Sequence, residues 1–219
     1  GNSNGTIYVF KINPNYKYVW TLFKNVNNHN SPILSMAIHE NLNIAITVSE
    51  NGLCMLYSLP CFQLYNSFII GKDDTDIKND EEIIGPNVVL ISDSPLPCFI
   101  FYIKLKNCLY FYSINGHLLK KQMLDFTIEE DFIKIYTDYN FIDYLFIYNT
   151  KNKSFDLYSM IDFNLISSIK TKNKDDNKDK KDNNAKYDIV VDFILSEEMD
   201  HALILFENEK EEKGEYKIY

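Results

Sequence analysis

The sequence predicts an all-β protein built from repeated units of four antiparallel strands. Short runs of about five to eight apolar and aromatic residues alternate with polar turns along the chain. One strand motif, Tyr-Ser at its clearest, recurs at intervals of about 45 to 60 residues. The composition agrees with this prediction, because the abundant Tyr (16) and Phe (15) favour strands.

The clearest unit spans residues 29–70 and contains four predicted strands. Its apolar runs cover residues 33–38, 43–49, 53–58 and 62–70. Asn51 and Gly52 separate the second run from the third. This pair predicts a two-residue type I′ hairpin turn, because both central residues of that turn need a positive φ.

The third strand of this unit provides the anchor of the repeat. Its aromatic residue has counterparts in other parts of the chain: Phe10, Tyr57, Tyr112, Tyr158 and Tyr219. When the charged insertions are left out, the period is about 40–47 residues, the length of a blade in a WD-type β-propeller. We therefore expect one domain over 1–219, with complete units at 29–70, 86–123 and 130–170 and partial units at 5–24 and 187–219.

The unit from His29 to Ser58 resembles a WD40 repeat. His29 stands where the family has its Gly-His histidine, Thr47 occupies the hydroxyl position of the second strand, and Tyr57-Ser58 replaces Trp-Asp. In the family these positions form a buried chain of hydrogen bonds that stiffens a blade. The resemblance implies a structural remnant of that tetrad at His29, Thr47 and Tyr57, within a WD40-like propeller segment of four-stranded antiparallel blades.

The unit also departs from the family pattern. Asn28 replaces the conventional Gly, and Asn51 or Glu50 stands where the family has a turn Asp. A propeller closes with about four to eight blades. Three complete and two partial units fall short of the seven-bladed form, so we expect an incomplete ring whose other blades lie upstream.

The charge of the chain argues against a nucleic-acid partner. The formal net charge is −9, and all 22 basic residues are Lys, whereas nucleic-acid binding favours a basic face with Arg. No apolar run approaches 18 residues, so no direct membrane insertion is expected. The four cysteines lack zinc-type spacing, which predicts reduced thiols in a cytoplasmic protein: Cys54, Cys61, Cys98 and Cys108.

The sequence contains no motif that predicts catalysis or a cofactor. A phosphate-binding Gly loop, a G-x-S-x-G elbow and an H-E-x-x-H helix are all absent. The histidines other than His29 lack the spacing of metal ligands, with His39 and His117 expected in turns and His201 at the start of a strand. We therefore expect no enzyme, no catalytic residues, no cofactor and no metal.

Three charged insertions interrupt the repeats at Lys72–Glu82, Thr171–Lys186 and Glu207–Glu215. The stretch 171–186 cannot bury apolar surface and is expected to be flexible. Strand order places all three insertions on one face of the disc. They fit either a mixed-charge collar that controls partner access or neutral loop expansion.

Residues 98–119 resemble the C-terminal WD repeats of BEACH-domain proteins, the neurobeachin and lysosomal trafficking regulator family. An aromatic strand, Cys98–Ile103, is followed by Cys108–Ser113 and by a Ile114-Asn115-Gly116 turn, and Ser49–Cys54 matches one blade earlier. The resemblance covers most of the chain through short motifs. It implies a large non-enzymatic scaffold in membrane trafficking that binds protein partners and associates peripherally with membranes.

Two other functions fit the same repeats. One is a generic WD-repeat scaffold in a coat, ubiquitin-ligase or ribosome-biogenesis assembly. The other is a propeller enzyme with an axial site, which requires ionisable side chains that converge on the central channel.

Overall fold

Seventeen strands are seen in the computed structural model, which describes residues 3–12, 15, 19–72, 85–138 and 140–170, together with the backbone of the last three strands at 189–195, 202–207 and 215–218. The chain falls into two units, Gly1–Asp125 and Phe126–Tyr219. Each unit is described by itself below.

The first unit contains one two-stranded and two four-stranded antiparallel sheets. The two-stranded sheet pairs β1 (Thr6–Ile12) with β2 (Trp20–Asn27). The other two sheets are meanders of consecutive strands: β3 (Ile33–His39), β4 (Ile44–Ser49), β5 (Leu53–Ser58) and β6 (Gln63–Ile69), then β7 (Val88–Ser92), β8 (Cys98–Ile103), β9 (Cys108–Ser113) and β10 (Leu118–Met123).

The second unit contains a four-stranded and a three-stranded antiparallel sheet among its described residues. Their strands are β11 (Ile133–Thr137), β12 (Asp143–Asn149), β13 (Ser154–Ser159) and β14 (Leu165–Lys170), then β15 (Ile189–Leu195), β16 (Ala202–Glu207) and β17 (Glu215–Ile218). The predicted fold class is thus confirmed as all-β with four-stranded antiparallel sheets.

Helical structure in the described residues is limited to two three-residue 3₁₀ turns, Lys104–Lys106 and Glu130–Phe132. No helix in the described part of the chain is long and apolar enough to cross a membrane. One strand end differs from expectation: β2 continues to Asn27, beyond the partial unit expected at 5–24.

The turn between β4 and β5 differs from the type I′ prediction, which was wrong. Three residues connect the strands, and only Gly52 has a positive φ (75°). The Gly52 N–H donates to Ser49 O over 2.8 Å, and the Asn51 side chain accepts hydrogen bonds from Ser49 Oγ and from Leu53 N–H. This is the three-residue hairpin loop in which a left-handed Gly follows a tight turn. Asn51 supplies a side-chain acceptor here and does not need a positive φ.

The core of the first unit lies on both faces of the sheet β3–β6. On one face, Ile46, Val48 and Leu56 pack with residues of β7–β10 such as Phe101 and Tyr110. On the other face, a second cluster packs β1–β2 against β4 and β5: Ile7, Val26, Ala45, Met55, Tyr57 and Phe62. Every residue of β4 is therefore buried, which explains why its sequence is an almost continuous apolar run.

Candidate functional site

The three residues of the expected tetrad remnant lie together in the sheet β3–β6. His29 precedes β3, Thr47 lies on β4 and Tyr57 lies on β5. His29 Nε2 is 2.7 Å from Thr47 Oγ1, and the Tyr57 hydroxyl lies 3.5 Å from the side-chain amide nitrogen of Asn28, the neighbour of His29 in the chain. All three residues are buried, with His29 only 2% exposed. The geometry therefore links the loop before β3 to the two central strands.

Ser49 and Asn51 also belong to this polar cluster. Ser49 was not predicted as a member from the sequence. His29 Nδ1 is 3.0 Å from Ser49 Oγ, which in turn donates to Asn51 Oδ1 over 2.8 Å. Thr47 and Ser49 are alternate residues of one strand, so their side chains share a face. A second hydroxyl two residues beyond Thr47, within an otherwise apolar strand, was the available signal.

These contacts fit a neutral imidazole with its proton on Nδ1. The Ser49 hydroxyl already donates to Asn51, so its oxygen accepts from Nδ1–H, while the Thr47 hydroxyl donates to Nε2. Burial lowers the pKa of His29. A neutral, enclosed ring that connects the loop before β3 to β4 stabilises the sheet and has little surface on which to contact a substrate.

Tyr57 is held from several sides. Its ring stacks on Phe62, with centroids 4.4 Å apart and planes 13° from parallel. Its hydroxyl contacts Asn28 Nδ2 and Met55 Sδ, and burial raises its pKa. Tyr158 repeats the arrangement in the second unit, where it stacks on Phe163 over 4.5 Å. Both phenylalanines have a positive φ, so a Tyr-Ser strand end followed by a left-handed Phe is a shared feature of two repeats.

The other two four-stranded sheets have different residues at or beside the positions of this cluster. In β7–β10, Phe101 occupies the cross-strand position of Thr47 and packs against Tyr112 and Phe68. In β11–β14, the buried carboxylate of Asp156 accepts hydrogen bonds from Asn149 Nδ2 (3.0 Å) and Ser168 Oγ (2.6 Å). The repeats thus share a backbone plan and differ in how each core is filled.

The remaining histidines and cysteines do not assemble into a site in the described residues. His39 is the last residue of β3 and not a turn residue as expected, and its Nε2 lies 3.7 Å from an Asp93 carboxylate oxygen. His117 lies in the turn before β10, and His201 falls outside the described residues. Cys61 is exposed, while the other three cysteines are buried: Cys54, Cys98 and Cys108. The described part of the chain holds no group of three or more His, Cys, Asp or Glu that could bind a metal ion.

The three charged insertions fall almost entirely outside the described residues. Their placement on one face and the flexibility of 171–186 stay predictions.

One exposed apolar surface in the first unit is formed by β1, β2 and β3, and we call it the edge surface. Met36 and Ile38 occupy apolar positions of β3, yet they are 46% and 63% exposed. The face of β1–β2 turned away from β3–β6 is also open: Tyr8, Phe10, Ile12, Trp20 and Leu22. Monomeric proteins rarely leave so many neighbouring large apolar side chains in water.

A second exposed apolar surface lies at one end of the sheet β11–β14, and we call it the turn surface. It comprises Phe141 and Ile142 in the turn between β11 and β12, and Ile161 in the turn between β13 and β14. Phe141 and Ile161 are 78% and 71% exposed. Antiparallel order brings both turns to the same end of the sheet, because Tyr144 at the start of β12 pairs with Ser159 at the end of β13.

Both turns of this surface are held by an aspartate. The Asp138 carboxylate accepts the N–H groups of Ile142 and Asn140, and these hydrogen bonds, that of Ile142 first, lower its pKa. The hydrogen bond from Ser159, and then that from the Asn164 N–H, lower the pKa of Asp162. Two ionised carboxylates therefore frame the apolar side chains, and the hydrogen bonds fix the turns that display them.

Comparison with known proteins adds no family to these observations. No protein-family model matches the chain, and no curated protein sequence matches it.

Proposed function

We propose that this chain is part of a WD-repeat-like β-propeller that serves as a non-enzymatic protein-interaction scaffold. The turn surface is the observation that carries this proposal. Phe141 and Ile161 sit on turns fixed by hydrogen bonds, so a partner that covers them loses little conformational entropy in the turns. Exposed aromatic side chains presented in this way are the usual anchors of protein interfaces.

The charge around the turn surface favours one kind of partner. Asp138 and Asp162 flank the apolar side chains, and their hydrogen bonds hold both carboxylates in the ionised form. A peptide segment with an apolar side chain beside a Lys or Arg matches this combination. The net charge of −9 over the whole chain supports the same preference.

The finer proposal is a scaffold of membrane trafficking that carries a BEACH domain, is cytoplasmic and associates peripherally with membranes. It is supported by the resemblance of residues 98–119 to the C-terminal WD repeats of that family. A generic WD-repeat scaffold in a coat, ubiquitin-ligase or ribosome-biogenesis assembly is the second candidate, since short repeat motifs fit it as well.

A paired substitution tests the scaffold function. Partners are purified with the parent chain, with the double variant Phe141→Ser and Ile161→Ser, and with the control Leu105→Ser. Leu105 is 79% exposed on the turn between β8 and β9 and outside the turn surface. We expect the double variant to lose partners that the control retains, and those partners to dissociate as salt is raised. Identical partner sets for all three proteins would refute the proposal.

The identity of the recovered partners separates the two kinds of scaffold. Trafficking proteins, together with a BEACH domain encoded upstream in the same reading frame, would support the finer proposal. Coat, ubiquitin-ligase or ribosome-assembly proteins in the absence of that domain would support the second candidate.

A further inference from the structure

The strand β14 is open on both faces and along one edge. In the described part of the chain it pairs with β13 alone, and all six of its residues are exposed. Its apolar side chains Leu165, Ile166 and Ile169 are 53%, 52% and 39% exposed. Backbone N–H and C=O groups along the second edge of β14 therefore face solvent and are available to a further strand.

The corresponding strands of the first unit are protected in ways that β14 is not. On β6, the Tyr65 hydroxyl and the Asn66 amide donate to carbonyl oxygens of the turn between β9 and β10, over 3.4 and 3.2 Å. β10 carries Lys120 and Lys121 near its centre, and charged residues on an edge strand oppose pairing with another strand. All three strands contain a register shift, so that feature does not distinguish them. The charged residue of β14 is Lys170 at its last position, which leaves the rest of this edge unprotected.

The two ends of β14 differ in charge. Asp162 lies in the turn that leads into the strand, and this turn contains no lysine. Lys170 ends the strand and pairs with Ser154, which directly follows Lys153. Glu130 is at the same end of the sheet but lies just before β11, about three strand spacings or 14 Å from β14, where salt largely screens its charge. The open edge of β14 therefore runs from a negative end to a positive end.

We propose that β14 binds a peptide segment of a partner protein as an added antiparallel strand. The inference rests on the proposed scaffold function, because it specifies how one partner segment is held. Antiparallel addition continues the order of the sheet β11–β14, in which every neighbouring pair of strands is antiparallel. The N-terminal end of the segment then lies beside Lys170, and its C-terminal end lies beside Asp162.

The charges and side chains of β14 predict the composition of the segment. An acidic residue near its N-terminal end meets Lys170, and a basic residue near its C-terminal end meets Asp162. Between them, β-branched or aromatic residues pair across the strands with the exposed apolar side chains of β14. The basic residue also suits the turn surface, which favours a Lys or Arg, since Ile161 directly precedes Asp162.

A synthetic peptide tests strand addition. The probe is about eight residues long, with Glu first, Lys last and alternating Val and Thr between, and it spans about 24 Å when extended. Two further versions are N-methylated on alternate backbone nitrogens, so that each has one edge that cannot donate hydrogen bonds. Binding to the 219-residue chain is followed by fluorescence anisotropy. Because one edge of an added strand faces β14, one version should bind at least about tenfold more weakly than the other.

The direction of the segment is tested by charge. A second peptide of the same composition has Lys first and Glu last. In low salt, the first peptide should bind at least about threefold more tightly than the second, and Lys170→Glu should reduce this preference. Lys11→Glu, the same charge change on an exposed residue of the first unit, should leave the preference unchanged.

Three outcomes would overturn the proposal. A lack of binding by the unmethylated peptide would show that β14 does not accept a strand. Equal affinities of the two methylated versions would show that the peptide binds without pairing along one edge. A preference that Lys170→Glu leaves unchanged would place the peptide elsewhere. The double variant Phe141→Ser and Ile161→Ser retains β14 and should still bind the probe, so this test and the test of the scaffold function fail independently.

Discussion

Replacing His29 with Ala should destabilise the first unit by about 3–5 kcal/mol. The substitution removes the acceptor of the Thr47 hydroxyl, and a buried hydroxyl left without a partner costs about 1–3 kcal/mol. It also removes the donor to Ser49, whose hydroxyl keeps Asn51 and Leu53 as acceptors, so this loss is near the net value of about 1 kcal/mol for one hydrogen bond. The vacated ring volume adds a packing cost of similar size.

The buried thiols provide an assay that reports on this unit alone. Cys54, Cys98 and Cys108 are buried within it, and burial raises the pKa of the Cys54 thiol well above its usual value. In a Cys61→Ser background, the reaction of these thiols with a disulfide reagent over a series of urea concentrations follows the opening of the unit.

His39→Ala is the matched control for this prediction. His39 is part-exposed. Its Nε2 lies 3.7 Å from an Asp93 oxygen, and its Nδ1 accepts a long hydrogen bond of 3.4 Å from the Leu42 N–H, so its loss should cost no more than about 1 kcal/mol. If His29→Ala changes the stability by no more than His39→Ala does, the polar cluster does not stabilise the sheet and the argument from its geometry is wrong.

Three other predictions follow from the same structure. Burial lowers the pKa of His29, so the unfolded chain binds the proton more tightly than the folded chain does. The stability due to this group is therefore present above pH about 6.5 and falls as the pH drops toward the folded pKa. Urea titrations between pH 8 and 5 should show a free energy of unfolding that falls with decreasing pH, and His29→Gln should reduce this pH dependence; an unchanged pH dependence would contradict the prediction. Gly85→Ala should destabilise the first unit by about 1–3 kcal/mol in the same thiol assay, because a Cβ there overlaps the Ser49 carbonyl oxygen, and a neutral result would mean that this loop shifts freely. Asp156→Asn should destabilise the second unit by about 1–3 kcal/mol, since its amide group places a donor against the Asn149 amide or the Ser168 hydroxyl; hydrogen exchange of β12 and β13 measures this, and unchanged protection of their amides would argue against it.

The backbone plan was the more predictable part of this protein. Strands alternate apolar and polar residues or, when central, read as apolar runs, and this pattern is local in the sequence. The regular return of an aromatic strand end, as at Tyr57 and Tyr158, shows the period directly. The prediction of the turn at Asn51 was wrong because the same dipeptide suits a two-residue and a three-residue loop. The contacts that distinguish the loops, from Ser49 and Leu53 to the Asn51 side chain, involve residues outside the dipeptide.

One candidate site could be predicted from the sequence, and the others could not. His29, Thr47 and Tyr57 could be named from their order in a repeat, and the structure brings them into contact. The polar cluster around Asp156 could not be named, because its members come from β12, β13 and β14 and share no motif. The exposure of Met36 and Ile38 could not be predicted from the sequence either, because an apolar strand residue has the same identity whether or not a neighbouring strand covers it.

The sequence by itself determined the all-β class, the four-strand repeat and the acidic, arginine-free character of the chain. These properties follow from periodicity and composition, which each segment carries on its own. Only the tertiary structure decided which apolar residues are covered, which polar residues meet, and where the edge and turn surfaces lie. Burial and contact depend on strands far apart in the chain, so they are determined by how the sheets pack and not by any one segment.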